Sequence, residues 1–366
     1  MTRLVGLALA LHVLAPAGAL AGPSGLRQFN DWMVGCDNTL SCRAIGVQED
    51  GPDEEAYLVI DRAGGPDAPP RLHVGGGDLS LGDGFAWSVD GKAPTSVPGS
   101  AVSAPAASDE GDTPPPEVGG PAAAAILAAM RDGKELRLAA DTDGLAQASP
   151  LPLKGLAAAL LFMDDVQGRV GTATALARPG KKQAAAVPPA PGAPLIVPDA
   201  LPDQSKLPSD VPEGIVAKHA KTLGKNSDCE DYGGVAKIPA RQFRLAGEKI
   251  LYLIGCWRAA YQAGEVAYLA HAATPTSTTP LPFETIDEKT GKLEINMTSI
   301  TDADGLEGET TSLSSFHKGR GAGDCGTQWR WAWSGGKMRL TAYVTMPSCH
   351  SIEDGDWITL WRSREK

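Results

Sequence analysis

The chain has 366 residues, of which 42% are hydrophobic and 21% charged, a balance that belongs to a folded protein rather than a disordered one. Its 33 Lys+Arg against 44 Asp+Glu give a formal charge of −11, which excludes the basic stripe that nucleic-acid binding needs to displace counterions from phosphate. With 43 Gly and 29 Pro, about a fifth of the chain, the sequence calls for extensive loop or linker.

Residues 1–21 (MTRLVGLALALHVLAPAGALA) combine Arg3, an apolar run from Leu4 to Leu14 and the small-residue box Ala19-Leu20-Ala21, the pattern of a cleaved export signal. The run is shorter than the ~20 residues that span a bilayer. Gly22-Pro23 rather than a cysteine follows the box, so no lipid anchor is expected. The mature form is therefore expected in the periplasm, without membrane insertion.

Residues 22–177 read as an acidic, β-rich N-terminal domain, with 22 acidic against 10 basic residues. Short strand-like runs occur at Asp31–Cys36, Cys42–Val47, Ala56–Asp61, Arg71–Val74, Phe85–Val89, Glu135–Ala140 and Arg169–Ala177. Two helices are expected, at Pro121–Arg131 and Leu153–Asp164. The Pro-rich, acidic tract 98–121 reads as an inserted surface loop. Nine prolines among residues 178–212 indicate a Pro/Ala-rich linker.

Residues 213–366 read as a nearly neutral, Trp-rich domain. A helix near Ile215–Leu223 precedes strands at Lys249–Trp257, Val266–Ala272, Leu293–Met297, Gln328–Trp333, Met338–Val344 and Ile358–Trp361. The fold class is α+β and β-rich, with two antiparallel β-sheet domains and a few short helices.

Six cysteines in an exported chain read as disulfides. They allow 15 pairings, of which the local set is the simplest: Cys36–Cys42, Cys229–Cys256 and Cys325–Cys349. There is no CxxC or HxxxH, and the histidines are scattered, so neither a metal nor a cofactor is expected.

The most suggestive motif is Gly319–Gly326, with G-x-G-x-x-G at 321–326. A dinucleotide fingerprint must open a helix, whereas TQWRWAW alternates like a strand, so the loop reads as a tight turn pinned by Cys325. Lys318, Arg320 and Asp324 make it a candidate anion- or partner-binding loop. Trp329, Trp331 and Trp333 lie on one strand face, either as an exposed aromatic platform or as core. The acidic pairs Asp164-Asp165 and Glu230-Asp231, and the Asp302–Gly305 run, read as helix ends or turns. No GxSxG or HExxH motif is present.

Several segments together resemble the domain of unknown function 1176 family of exported Gram-negative bacterial proteins. They are Phe29–Ala44, Leu153–Ala177, Leu253–Tyr261, Leu313–Gly326 and Trp331–Arg362. The chain departs from that pattern in its tract 98–121 and in Gln262, where asparagine is expected. The resemblance implies an exported two-part protein and supplies no catalytic residues. The opening Phe-x-x-Trp-x-Val-x-Cys is also similar to the invasion-associated locus B proteins, which hints at an envelope binding role.

The reading is a non-enzymatic binding or interaction protein whose partner is an envelope component or another protein. The competing readings are an envelope hydrolase using a carboxylate pair, and an inhibitor or chaperone-like partner of an envelope enzyme.

Overall fold

The computed structural model describes residues 25–47, 56–76, 82–103, 115–208, 210–223, 229, 238–303, 306 and 310–365. The expected signal 1–21, residues 104–114 of the expected loop, Glu230-Asp231 and Asp304-Gly305 lie outside them. In chain order the elements are β1 (Arg27–Phe29), β2 (Trp32–Cys36), β3 (Cys42–Gly46), β4 (Tyr57–Arg62), β5 (Arg71–Gly75), β6 (Gly84–Val89), β7 (Thr95–Pro98), β8 (Val102–Ser103), β9 (Glu117–Val118), α1 (Gly120–Met130), β10 (Glu135–Ala139), β11 (Leu151–Pro152) and α2 (Leu156–Val166). They continue with β12 (Leu195–Ile196), α3 (Glu213–Leu223), β13 (Arg241–Leu245), β14 (Lys249–Arg258), β15 (Ala263–His271), β16 (Thr274–Pro280), β17 (Phe283–Asp287) and β18 (Lys292–Asn296). The last are β19 (Ile300–Thr301), β20 (Ser312–Lys318), β21 (Gly326–Ser334), β22 (Lys337–Met346), β23 (Ile358–Arg362) and β24 (Arg364–Glu365). Among the described residues strand outnumbers helix, 43% against 16%, which makes the fold β-rich α+β.

Two sheets form in the first half, in the orders β1-β2-β3-β4-β5-β9-β8 and β11-β10-β6-β7. Two more form in the second half, β13-β14-β15-β16 and β18-β17-β22-β21-β20 with β23 on β22. Nearly all pairings are antiparallel, the short contacts β12–β24 and β17–β22 being parallel.

Both faces of the first sheet are covered. Trp32, Val34, Ala44, Leu58 and Ile60 pack with Ile126 of α1 and Leu160 and Met163 of α2. On the opposite face Met33, Ile45, Tyr57 and Val59 pack with Phe283, Trp331, Leu340 and Ile358 from the second half. Double coverage is why β2 is buried at all five positions instead of alternating. A third cluster seats α3, through Ile215 and Leu223, on Ile250, Tyr252 and Ile254 of β14.

Segment 178–212 lies against this body. β12 pairs with β24, Val187 and Ile196 are buried, and the Asp199 amide donates to the Trp333 carbonyl at 2.9 Å.

One expected strand is absent: Arg169–Ala177 is a series of turns. Its ladder donors are taken by a side chain, since Asp164 accepts the Leu176 and Ala177 amides at 2.9 and 2.8 Å. The fully buried Arg169 ties the segment inward by donating to Gln167 Oε1 and the Gly65 carbonyl. Conversely β16 (TPTSTTP) gave no strand signal because of Pro275 and Pro280. It forms at a sheet edge, where missing N–H donors are tolerated.

Candidate functional site

Alternation places Arg43 and Ile45 of β3, Tyr57, Val59 and Asp61 of β4, and Arg71 and His73 of β5 on the same face of the first sheet. The register pairs Arg43 with Asp61, Asp61 with Arg71, and Val59 with His73. The apolar end of this face meets the second half, and the charged end borders a cleft. Tyr57 sits flat over Gly75, where a β-carbon would meet the ring at 2.2 Å, so glycine is required there.

The turn Asp354–Asp356, from the far end of the chain, closes over the charged end. Asp356, 4% exposed, receives His73 Nε2 on Oδ1 at 2.7 Å and the Tyr57 hydroxyl on Oδ2 at 2.8 Å. Burial alone would raise the Asp356 carboxyl, but His73, Tyr57 and Arg43 outweigh it and hold the group below its ordinary value. Asp356 is thus an anion and an acceptor only, which puts the hydrogen on His73 Nε2. Burial and the adjacent Asp356 charge push the Tyr57 phenol far up, so it remains a donor. Arg43 completes the group, donating to both Asp61 oxygens at 2.7 and 2.8 Å and to the Gly355 carbonyl at 2.9 Å.

The cleft, of about 470 Å³, has Arg43, Arg62, Arg71 and Arg362 among its walls against the carboxylates Asp61 and Glu117. Arg71 donates to Glu117 at 3.3 Å, with 61% of its side chain exposed. Arg362 pairs with the buried Asp37 beneath the Cys36–Cys42 hairpin. Asp61, His73 and Glu117 bring their donor atoms within 4.8 Å of one another and are the residues that could hold a metal ion. All three already have partners, in Arg43, Asp356 and Arg71. A second cavity of about 550 Å³ adjoins the cleft and shares Arg62, Ala68 and Pro69 with it.

The sequence candidates lie elsewhere. Arg320 forms a two-pronged pair with Asp324 at 2.7 and 2.6 Å, and Asp324 also accepts the Ser351 amide at 2.7 Å. Lys318 lies over Phe316 and 3.9 Å from Asp302. Gln262, the departure from the family pattern, holds both the amide and the carbonyl of Lys318. The loop closes onto the Cys325–Cys349 bond, and Gly326 is required at its end: φ is +135°, and a β-carbon would lie 2.0 Å from the His317 carbonyl oxygen. Trp331 and Trp333 are core residues, with 1% and 2% exposure, and half-buried Trp329 stacks on Trp331 at 5.5 Å. Cysteine pairing follows chain order: Cys36–Cys42, Cys229–Cys256 and Cys325–Cys349. Asp164 caps the turn after α2, while Asp302 accepts the Ala263 amide.

Sequence reasoning passed over Arg43, Asp61, His73 and Asp356. Tyr57 and Asp356 stand 299 positions apart, and no local spacing links them. The available signal was weaker: charges in register at the ends of three otherwise apolar strands.

The family described as protein of unknown function 1176 matches residues 26–364. The chain belongs to that family. It is also similar to the uncharacterised protein YpfG of Escherichia coli (strain K12), with 28% identity over 386 residues and 96% of each chain covered. No solved structure matches it. Among the described residues no helix is long and apolar enough to cross a membrane. Three closed disulfides point to an oxidising compartment.

Proposed function

We propose that this protein is a non-enzymatic binding protein of the bacterial periplasm that recognises an anionic group of an envelope component in the arginine-lined cleft. The observation that carries the reading is the cleft wall, where Arg43, Arg62 and Arg71, from a segment in which acidic residues outnumber basic ones 22 to 10, are joined by Arg362 from the second half against the carboxylates Asp61 and Glu117. Concentrating guanidinium groups at one cleft on an otherwise acidic surface favours a carboxylate or phosphate there. Both cleft carboxylates are engaged by arginines, which suits them to aligning those groups rather than to acid–base work. The signal-like residues 1–21 and the disulfides support export.

The test is calorimetric titration of the mature protein with sodium acetate and inorganic phosphate. Saturable binding of one of them is expected, weakening as salt is raised and at least about tenfold weaker in Arg71→Ala, a loss of ~1.4 kcal/mol. Absence of saturable binding, or binding indifferent to Arg71→Ala, would overturn the proposal. Osmotic-shock release of a chain beginning at Gly22 would support export, and retention of an uncleaved chain in the cytoplasm would refute it.

A further inference from the structure

We infer that the arginine cleft and the apolar groove beside it form one site for a straight-chain fatty acid, with its carboxylate at Arg71 and its chain along α1. This inference rests on the anion-binding reading above and extends it to the class of ligand. The continuity is covalent as well as spatial. Ala68 and Pro69 wall both cavities, Pro70 walls the groove, and Arg71, the next residue, walls the cleft. A ligand lying over this segment passes from an apolar surface to a guanidinium.

The groove excludes a peptide on physical grounds. One wall is α1, which offers Ala124, Leu127 and Ala128, whose amide donors are satisfied within the helix. Four prolines, Pro66, Pro69, Pro70 and Pro179, none with an N–H to donate, stand among the other walls. An extended peptide laid here would bury its amides and carbonyls unpaired, since strand addition needs an open sheet edge. An acyl chain has no such groups. The small side chains of Ala124 and Ala128, one helical turn apart and both exposed, leave a shallow channel that suits a narrow, unbranched chain. Besides Arg62, the only charged groove residues among those described are Asp67 and Arg131.

The experiment is titration of the mature full-length protein with acetate, octanoate, decanoate and dodecanoate below their micellar concentrations. Wild type, Arg71→Ala and Ala128→Trp are compared, with Ala124→Trp as a second groove variant should the first fold poorly. Affinity is expected to rise about threefold per added methylene, in keeping with burial of a growing apolar chain. Ala128→Trp should flatten that dependence while leaving acetate binding intact, and Arg71→Ala should weaken every member of the series. If acetate binds but longer acids bind no better, the anion cleft stands and this inference falls. If no acid binds while inorganic phosphate does, the anion cleft stands and this inference falls; if phosphate also fails to bind, both fall. Dodecanoate binding unaffected by either groove variant, or an apolar tripeptide binding as tightly as dodecanoate, would also overturn the acyl assignment.

Discussion

Asp356 remains ionised at 4% exposure because His73, Tyr57 and Arg43 supply more than burial removes. Removing one member of a buried charged group strands the others without partners. Asp356→Ala should therefore cost about 3–5 kcal/mol in urea unfolding, and Asp356→Asn less, because one acceptor survives. An unchanged midpoint for the alanine variant would mean that the cluster contributes nothing net. At the Gly319–Gly326 turn, the bond from Arg320 outweighs burial, and with the Ser351 amide it lowers the Asp324 carboxyl to about 2. That value lies below the ~3.9 of an unfolded aspartate, so the contribution is complete above about pH 4 and is lost as pH falls towards 2. Acid unfolding of Arg320→Met should lack that component. If its pH profile between 4 and 2 superimposes on wild type, the pair does not govern the loop's acid response.

Among the elements, the disulfides differ in what they close. Cys36–Cys42 joins register partners across the β2–β3 hairpin, six residues apart, whereas Cys229–Cys256 spans 27 residues and ties the chain after α3 to β14. Loop-closure entropy assigns about 2 kcal/mol to the first and between 3 and 4 to the second. Paired Cys→Ala variants should lose stability in that order in thermal melts under oxidising conditions; a reversed order would show that strain or packing decides instead. The regular elements were legible where one periodicity ran unbroken, as in AYLVID for β4 or LIGCW within β14. They were illegible where a side chain intervened, as Asp164 does at 169–177, or where proline sat on an edge, as in β16.

For the molecule as a whole, the second face of the first sheet matters most. Met33, Ile45 and Val59 share a cluster with Trp331, Leu340 and Ile358, so neither half completes its core alone. We predict one cooperative urea transition, with tryptophan fluorescence, dominated by the second half, coinciding with far-UV circular dichroism. Ile45→Ala should shift both signals together by about 2–4 kcal/mol, as for a buried large-to-small change. Two transitions, only one of them moved by that variant, would show instead that the halves unfold as independent domains separated at 178–212.

Composition, alternation and cysteine count by themselves pointed to a β-rich α+β protein with an acidic first half and disulfides, for which chain order was the simplest of 15 pairings and the one the structure holds. These properties depend on residues near one another in the chain, and short-range pattern carries them. The family resemblance was legible for the same reason, in segments such as FNDWMVGC and LIGCWRAAY. Only the tertiary structure decided that the tryptophans at 331 and 333 are core, that Arg320 is committed to Asp324, and that Arg43, Asp61, His73 and Asp356 converge beside a cleft. A strand pattern says which residues share a face, not what covers it. Here the cover comes from a turn nearly 300 residues away, held by buried hydrogen bonds that no local spacing encodes.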